Sequence, residues 1–435
     1  MRPAAGLVTG LLLVHSLPSL ADESAPPLDV HAQATYVSQL KPSLASPYSG
    51  ANSLLGQREW SYTFTSTLYF GLGLGNTELY FDPEFVQGAP LSGLHGLGGF
   101  SNGEVQRGVG PQLRGYRARL FARHTWNLGG EQEEQKSEQN QVKTRYSAER
   151  VVLTVGNVSA LDIFDVMDYS HDPRTQFMNW ASLTYGAWDY PADARGYTWG
   201  AALEYITPRY QLRVGRFLVP VESNGLRLDW AYGQRYSDAA EVELPYKIAG
   251  RQGTLRLLAF RNRVNAGAFG DANALAAFSG VPPDITAVRH EQSKVGFAAG
   301  TQIELAPNVG AYAKAAWNDG KTETFMFTEI DRSLSAGLLL NGGLWGRQGD
   351  SVGVAGYLNG LSQPHRNYLA AGGLGFFLGD SRLNYGAERI VEAFYSLQVA
   401  KGTALSAGYQ RIVNPGYNRD RGPADIVAVR VHWEY

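Results

Sequence analysis

Ala424-Asp425-Ile426-Val427-Ala428-Val429-Arg430-Val431-His432-Trp433-Glu434-Tyr435 closes the chain, and its reading decides the fold class. Val427, Val429, Val431, Trp433 and Tyr435 share one face of an extended segment, with Ala428, Arg430, His432 and Glu434 on the other. Successive side chains of a strand point to opposite faces. One face here is apolar and the other polar, as needed by a strand with lipid on one side and a wet lumen on the other. The terminal aromatic fits the final strand of an outer-membrane barrel, which the assembly machinery reads. A soluble edge strand could alternate once by chance, so the decisive point is recurrence.

The pattern recurs along the whole chain. Val30, Ala32, Ala34 and Tyr36 oppose His31, Gln33 and Thr35, and Leu79 and Phe81 oppose Glu78, Tyr80 and Asp82. Ala118, Leu120, Ala122 and Trp126 oppose Arg117, Arg119 and Arg123. Tyr197, Trp199, Ala201, Leu203 and Tyr205 oppose Thr198, Gly200 and Glu204, and Val242, Leu244 and Tyr246 oppose Glu241, Glu243 and Lys247. Val295, Phe297 and Ile303 oppose Lys294, Gln302 and Glu304. This predicts sixteen antiparallel strands at 29–40, 59–72, 75–84, 115–128, 148–158, 196–207, 210–219, 238–248, 253–264, 292–305, 308–318, 325–341, 351–360, 386–400, 403–413 and 424–435. The connections alternate long and short, with the polar 129–147 segment the longest of the short set and 319–324 the shortest of the long set. Short periplasmic turns and long external loops are the barrel arrangement. The expected fold is thus all-β, one transmembrane antiparallel barrel over 29–435, with one or more loops folded into the pore.

The N-terminal residues point to export. Arg2 precedes a mostly apolar run from Leu7 to Leu20, and Ser19-Leu20-Ala21 supplies the small residues of a cleavage site, which predicts a signal peptide over 1–21. His15, Ser16 and Pro18 interrupt the run, which falls short of the ~20 apolar residues of a spanning helix. A polar periplasmic lead is expected over 22–28. Removing Arg2 leaves 37 Lys and Arg (38 minus 1) against 40 Asp and Glu, a balance that indicates no nucleic-acid partner. The chain has 51 glycines, 33 Tyr plus Trp (24 plus 9) and no cysteine. The missing cysteine excludes disulfides, thiolate metal sites and thiol nucleophiles.

Six stretches carry a family resemblance. They are Ser46-Pro47-Tyr48-Ser49-Gly50-Ala51-Asn52-Ser53-Leu54, Glu78-Leu79-Tyr80-Phe81-Asp82-Pro83-Glu84, Gly99-Phe100-Ser101-Asn102-Gly103-Glu104, His171-Asp172-Pro173-Arg174, Gly186-Ala187-Trp188-Asp189-Tyr190 and Asn414-Pro415-Gly416-Tyr417-Asn418-Arg419-Asp420-Arg421-Gly422-Pro423. In this order they resemble the OprB-type carbohydrate-selective porins, over nearly the whole chain from residue 31 to 435. The resemblance implies a sixteen-stranded barrel in the outer membrane of a Gram-negative bacterium, sugar uptake by diffusion, and an arginine-rich constriction narrowed by inward-folding loops.

Pore selectivity comes from the groups at the narrowest point. Arg117, Arg119 and Arg123 are expected to face the lumen together, because their opposite face is apolar. Glu78 and Asp82 on the preceding strand, with Glu241, Glu243 and Glu304 farther along, are the expected acidic partners. Guanidinium forks donate to vicinal hydroxyls and carboxylates accept from them. The same residues could equally be a salt-bridge network that only holds the barrel round. The segment 159–195, with Asp168, His171, Asp172, Arg174, Trp180 and Trp188, is expected either to fold into the pore with aromatic faces for sugar rings, or to be an external loop with a packed aromatic cluster. Its Asp162, Asp165 and Asp168 lack a calcium-loop pattern, and no zincin or nucleophile-elbow motif occurs. No cofactor, metal or catalytic residue is therefore assigned. The expected partners are neutral sugars, outer-membrane lipid and lipopolysaccharide, the barrel-assembly machinery and a possible second copy of the chain. The competing functions are a general diffusion porin without sugar preference, a polysaccharide-export barrel and a barrel enzyme.

Overall fold

The computed structural model describes residues 28–327 and 329–435, so the expected signal peptide at 1–21 and all but the last residue of the 22–28 lead lie outside the described residues. The strands are β1 Leu28–Lys41, β2 Glu59–Leu74, β3 Thr77–Ala89, β4 Arg114–Gln135, β5 Thr144–Val158, β6 Thr198–Ile206, β7 Gln211–Phe217 and β8 Tyr236–Ile248. They continue as β9 Arg251–Gly267, β10 Arg289–Ala306, β11 Val309–Asn318, β12 Arg332–Asn341, β13 Ser351–Gly360, β14 Glu388–Ala400, β15 Thr403–Val413 and β16 Ala424–Glu434. Each pairs antiparallel with its sequence neighbours, and β1 pairs with β16, which closes the barrel. Closure leaves no strand edge unpaired, the condition for a sheet to cross hydrocarbon. Among the described residues no helix is long and apolar enough to cross a membrane.

The final strand follows its alternation. Val427, Val429, Val431 and Trp433 are exposed on the outer face, while Ala428, Arg430 and His432 are buried inside. Thr35 and His432 meet across the closing seam, Oγ1 to Nδ1 at 2.9 Å. Both described ends lie at the rim with the short turns, which is the periplasmic rim in a porin-like barrel.

Three departures from the expected strands have local causes. First, β12 starts at Arg332 instead of 325, because Phe325, Met326, Phe327 and Ile330 leave the sheet and pack into the apolar cluster inside the barrel. The external connection before it is correspondingly longer. Second, β4 and β5 run on to Gln135 and from Thr144, so most of the expected 129–147 loop is an extension of their hairpin. Third, β6 begins at Thr198, which leaves Tyr197 in the loop with its side chain buried inside the barrel instead of on the outer face.

Among the described residues, three α-helices lie in external connections: α1 Trp180–Leu183, α2 Phe269–Ser279 and α3 Gln363–Ala370. Helix α3 is started by Ser362, which accepts from the His365 backbone N–H at 3.2 Å, and by a proline in its first turn, two features that favour a helix start. Phe269 of α2 stacks on His365 at 4.2 Å between centroids, and with Tyr368, Leu369 and Tyr417 forms a small apolar cap over one side of the outer mouth.

Candidate functional site

The connection between β5 and β6, residues 159–197, folds into the barrel and is fixed to the β8–β16 wall. Lys314 is buried and reaches Asp165 Oδ2 at 3.0 Å, also donating to the carbonyls of Ser170 and Ser182. Gln302 and Asp168 exchange two bonds, at 2.8 and 2.7 Å. Glu392 accepts from the backbone N–H groups of Met178 and Asn179. Arg430 donates to the carbonyls of Pro173 and Gln176 at 2.6 and 2.8 Å. A buried polar group must find a partner in the protein or water, and here wall side chains partner the loop backbone. The shorter-range partner is the β3–β4 connection, which also turns inward: Trp180 donates its backbone N–H to Phe100 at 2.9 Å, and Gly103 donates to Met178 at 2.7 Å. Glu388 receives the N–H groups of Gly98 and Gly99.

Aromatic rings lock this inner layer. Trp180 stacks on Phe327 at 4.8 Å, and Phe327 stacks on Tyr190 at 4.9 Å. Trp188 packs against Phe164 and Tyr190 and is buried. Of the two roles expected for the loop's aromatics, Trp188 takes that of a packed cluster and does not line the chamber. Trp180 and Tyr190 do line the pore chamber.

With the loops on the far wall, the open chamber lies against β2–β5. It measures about 420 Å³. Arg119 and Arg123 project into it from β4. Arg119 Nε is 2.6 Å from Asp162 Oδ2 and its Nη1 is 3.3 Å from Asp82 Oδ2. It therefore links a strand neighbour to the inward loop. Arg123 Nη1 lies 3.4 Å from Glu78 Oε2, and its guanidinium stands over the Tyr80 ring at 5.2 Å. Across the chamber Arg174 Nε meets Glu104 at 2.9 Å, and Nη2 lies 3.8 Å from Glu84. The loop group Asp172 is half-buried, and its desolvation favours the neutral acid. The charge of Arg174 and bonds from Thr175 and the Arg174 N–H outweigh that and hold it below the ordinary range. His171 is lowered, by burial first and then by the charge of Lys314.

Arg117 is not part of this set. The β3–β4 register pairs Asp82 with Arg119 but Pro83 with Arg117, so Ala118 is the extra residue of a bulge. A bulge reverses the side-chain alternation beyond it. Pro83 has no N–H to offer the ladder, and the β2–β3 ladder is interrupted beside it, between Thr67↔Glu84 and Phe70↔Phe81, without a change of register. Arg117 consequently sits exposed on the outer face with its guanidinium over Trp199 at 5.3 Å, and Tyr116 takes the inward place, donating to Glu84.

Glu241 and Glu243 face inward but lie on the opposite wall. Arg213 bridges them at 3.0 and 2.8 Å, Arg256 also meets Glu243, and Glu241 accepts the Asp165 N–H at 2.9 Å. They support the loop and do not line the chamber. Glu304 shares the inward face with Gln302 near the periplasmic rim and is half-buried. Sequence pattern missed Glu84, Glu104, Tyr116 and Tyr197. Tyr197 donates to Glu84 at 3.2 Å and lies under the Arg119 guanidinium at 5.2 Å. Strand alternation carries no signal for Glu104 and Tyr197, which are loop residues, and the bulge hides Tyr116. Among the described residues no three His, Cys, Asp or Glu are grouped to hold a metal ion.

The arrangement offers fixed guanidinium donors interleaved with carboxylate and phenol acceptors around a small polar space. A family model described as carbohydrate-selective porin, OprB family, matches residues 51–435. No curated protein matches the chain. The high-pH structure of OprB from Pseudomonas putida is similar in fold, with a TM-score of 0.68, 16% identity and 94% of each chain covered. The outer-membrane channel DcaP of Acinetobacter baumannii follows at a TM-score of 0.52 and 9% identity, over 96% of this chain and 100% of that one.

Proposed function

From the premise that this chain belongs to the OprB family of carbohydrate-selective porins, we propose that its selective step is the passage of a neutral sugar past Arg119, Arg123 and Arg174. The supporting observation is the position of Arg119, held by Asp82 on one side and by the inward loop's Asp162 on the other at the wall of the narrow chamber. A sugar entering so small a space gives up water from its hydroxyls. Rigid guanidinium forks replace donors, and Glu104, Asp162 and Tyr197 replace acceptors. The groups are already paired with each other, so each sugar contact is an exchange at little net gain. That keeps binding weak, as conduction requires.

An outer-membrane β-barrel channel is the coarser statement that family and fold support. We assign it no catalytic role and propose that export removes residues 1–21. N-terminal sequencing of the protein from outer membranes should then begin at Asp22, and retention of Met1 would count against it.

The test of the selective step is single-channel recording. Neutral monosaccharide added to a conducting pore should reduce the ion current in brief, concentration-dependent events, and Arg119→Ala should remove them. Current reductions of equal size and frequency in wild type and variant would exclude this site.

A further inference from the structure

The structure places an unexpected element at the periplasmic end of the chamber. Strand β4 passes His124, the partner of Thr77 at the β2–β3 turn, and continues to Gln135 with β5 beside it. Two register shifts, between Asn127 and Gly129 and between Gly129 and Gln132, interrupt this extension. Gly130 within them has φ 88°, a left-handed value open mainly to glycine. Bulges bend the strand that carries them, and here the hairpin leaves the barrel wall and crosses the mouth.

Its tip, residues 136–143, docks on three strands. The Lys143 N–H donates to Asp29 of β1 at 2.8 Å, and Ser137 Oγ meets His31 Nε2 at 2.8 Å. Val142 is 1% exposed; its N–H donates to the Tyr80 hydroxyl of β3 at 3.1 Å. A methyl group on Gly71 of β2 would come within 2.9 Å of Val142 Cγ2, so a side chain at 71 would crowd the docked tip. Arg123 Nη1 donates to the Asn140 carbonyl at 3.2 Å while it also meets Glu78.

The docked tip turns Gln139, Asn140 and Gln141 to the same chamber that Arg119, Arg123 and Arg174 line. The chemistry changes along the path. Charged groups line the upper part, while three consecutive neutral amides line the floor beneath Arg123. The hairpin's acidic residues, Glu131, Glu133, Glu134 and, in the tip itself, Glu138, are exposed, and none of them lines the chamber. An amide offers a donor and an acceptor without charge, and hydrogen bonds to charged groups are roughly twice as strong as neutral ones. A sugar handed from Arg123 to these amides moves to weaker partners, which suits release.

We infer that the β4–β5 hairpin tip is a second, periplasmic selectivity element. Gln139, Asn140 and Gln141 form the exit of the sugar path and set the largest saccharide that passes. The inference rests on the sugar-diffusion reading, and its test separates the two.

Liposome swelling is measured with a neutral monosaccharide, a disaccharide, a trisaccharide and a non-sugar solute of monosaccharide size. Three proteins are compared: wild type, a variant in which Gly-Gly joins Gln135 to Thr144, and Gln141→Trp, which adds bulk without shortening the hairpin. Heat-modifiable gel mobility checks that each barrel is folded. Excision should raise the disaccharide and trisaccharide rates severalfold relative to the monosaccharide, with the monosaccharide still preferred over the non-sugar solute. Gln141→Trp should slow every saccharide and slow the largest most. If either folded variant keeps the wild-type ratio of saccharide rates, the tip is not an exit filter. Loss of the monosaccharide preference already in wild type would instead strike the sugar reading, with the size ratio still reporting on the hairpin.

Discussion

Arg119 joins the barrel wall to the loop that narrows it: its Nε lies 2.6 Å from Asp162 Oδ2, and its Nη1 lies 3.3 Å from Asp82. The strand thereby fixes the loop, and the loop fixes the guanidinium. Removing the guanidinium both frees space and uncouples the two carboxylates, so structural and selective roles belong to the same residue.

Arg119→Ala should leave a folded barrel with higher conductance and a weaker preference for sugars over solutes of similar size. It strands Asp82, which is fully buried, and breaking a buried pair from one side costs about 3–5 kcal/mol. Adding Asp82→Asn should recover most of that stability without recovering the preference. Thermal unfolding and swelling assays on the single and double variants check the split. Recovery of both would make Arg119 a brace only.

Arg430→Ala tests the loop's seat. Arg430 is 1% exposed and holds the carbonyls of Pro173 and Gln176. Losing it leaves two buried acceptors, each costing about 1–3 kcal/mol. The barrel should still assemble, because the β15–β16 and β16–β1 ladders do not involve this side chain. Single-channel records should show a noisier and larger current. A quiet wild-type current would mean that Lys314, Gln302, Glu241 and Glu392 hold the loop without Arg430.

The fold is legible in the sequence where alternation is uninterrupted. Val427 to Tyr435 could be assigned face by face, and Arg119 and Arg123 came with β4 because an apolar face opposed them. Arg117 was misplaced because a bulge adds one residue, and nothing in Arg-Ala-Arg marks Ala118 as that residue. Pro83 on the neighbouring strand was the available hint. The 136–143 tip reads as a polar loop, since docking through Val142 and backbone groups leaves almost no pattern. Phe325 to Phe327 read as a strand because an apolar run looks alike whether it joins a sheet or packs on Trp180 and Tyr190. Glu104 and Tyr197 act through long-range contacts that no local spacing encodes.

The closing seam predicts an assembly phenotype. The Tyr435 N–H and carbonyl bond with Ala32 at 2.8 and 3.1 Å, and its side chain is exposed at the periplasmic rim, where aromatic girdles sit. Deleting Tyr435 should lower the yield of assembled barrel, while the pores that do form keep wild-type permeability. Normal yield with altered permeability would contradict this.

The outer cap should weaken in alkali. His365 is buried with Nδ1 2.9 Å from Asp331 Oδ2 and Nε2 3.6 Å from Glu329. Burial alone would lower its pKa, but the charge and hydrogen bond of Asp331, with Glu329 behind, raise it to about 9 from an ordinary 6.5. A raised folded pKa means stabilisation that is complete below 6.5 and lost as pH rises through about 9. Asp331 is held below its ordinary value, so its share fades only in acid. Limited proteolysis of the α2–α3 cap should distinguish wild type from His365→Asn at neutral pH, and the difference should vanish above the histidine's pKa. A pH-independent difference would show that His365 acts through packing on Phe269.

Selective passive diffusion is tested most directly by liposome swelling with a neutral monosaccharide and a neutral non-sugar solute of equal size, in wild type and Arg119→Ala. The charged chamber on β2–β5 predicts faster swelling with the monosaccharide in wild type, and rates that converge in the variant as both solutes enter a wider pore. Equal rates in wild type, or an undiminished sugar advantage in a folded Arg119→Ala barrel, would contradict it.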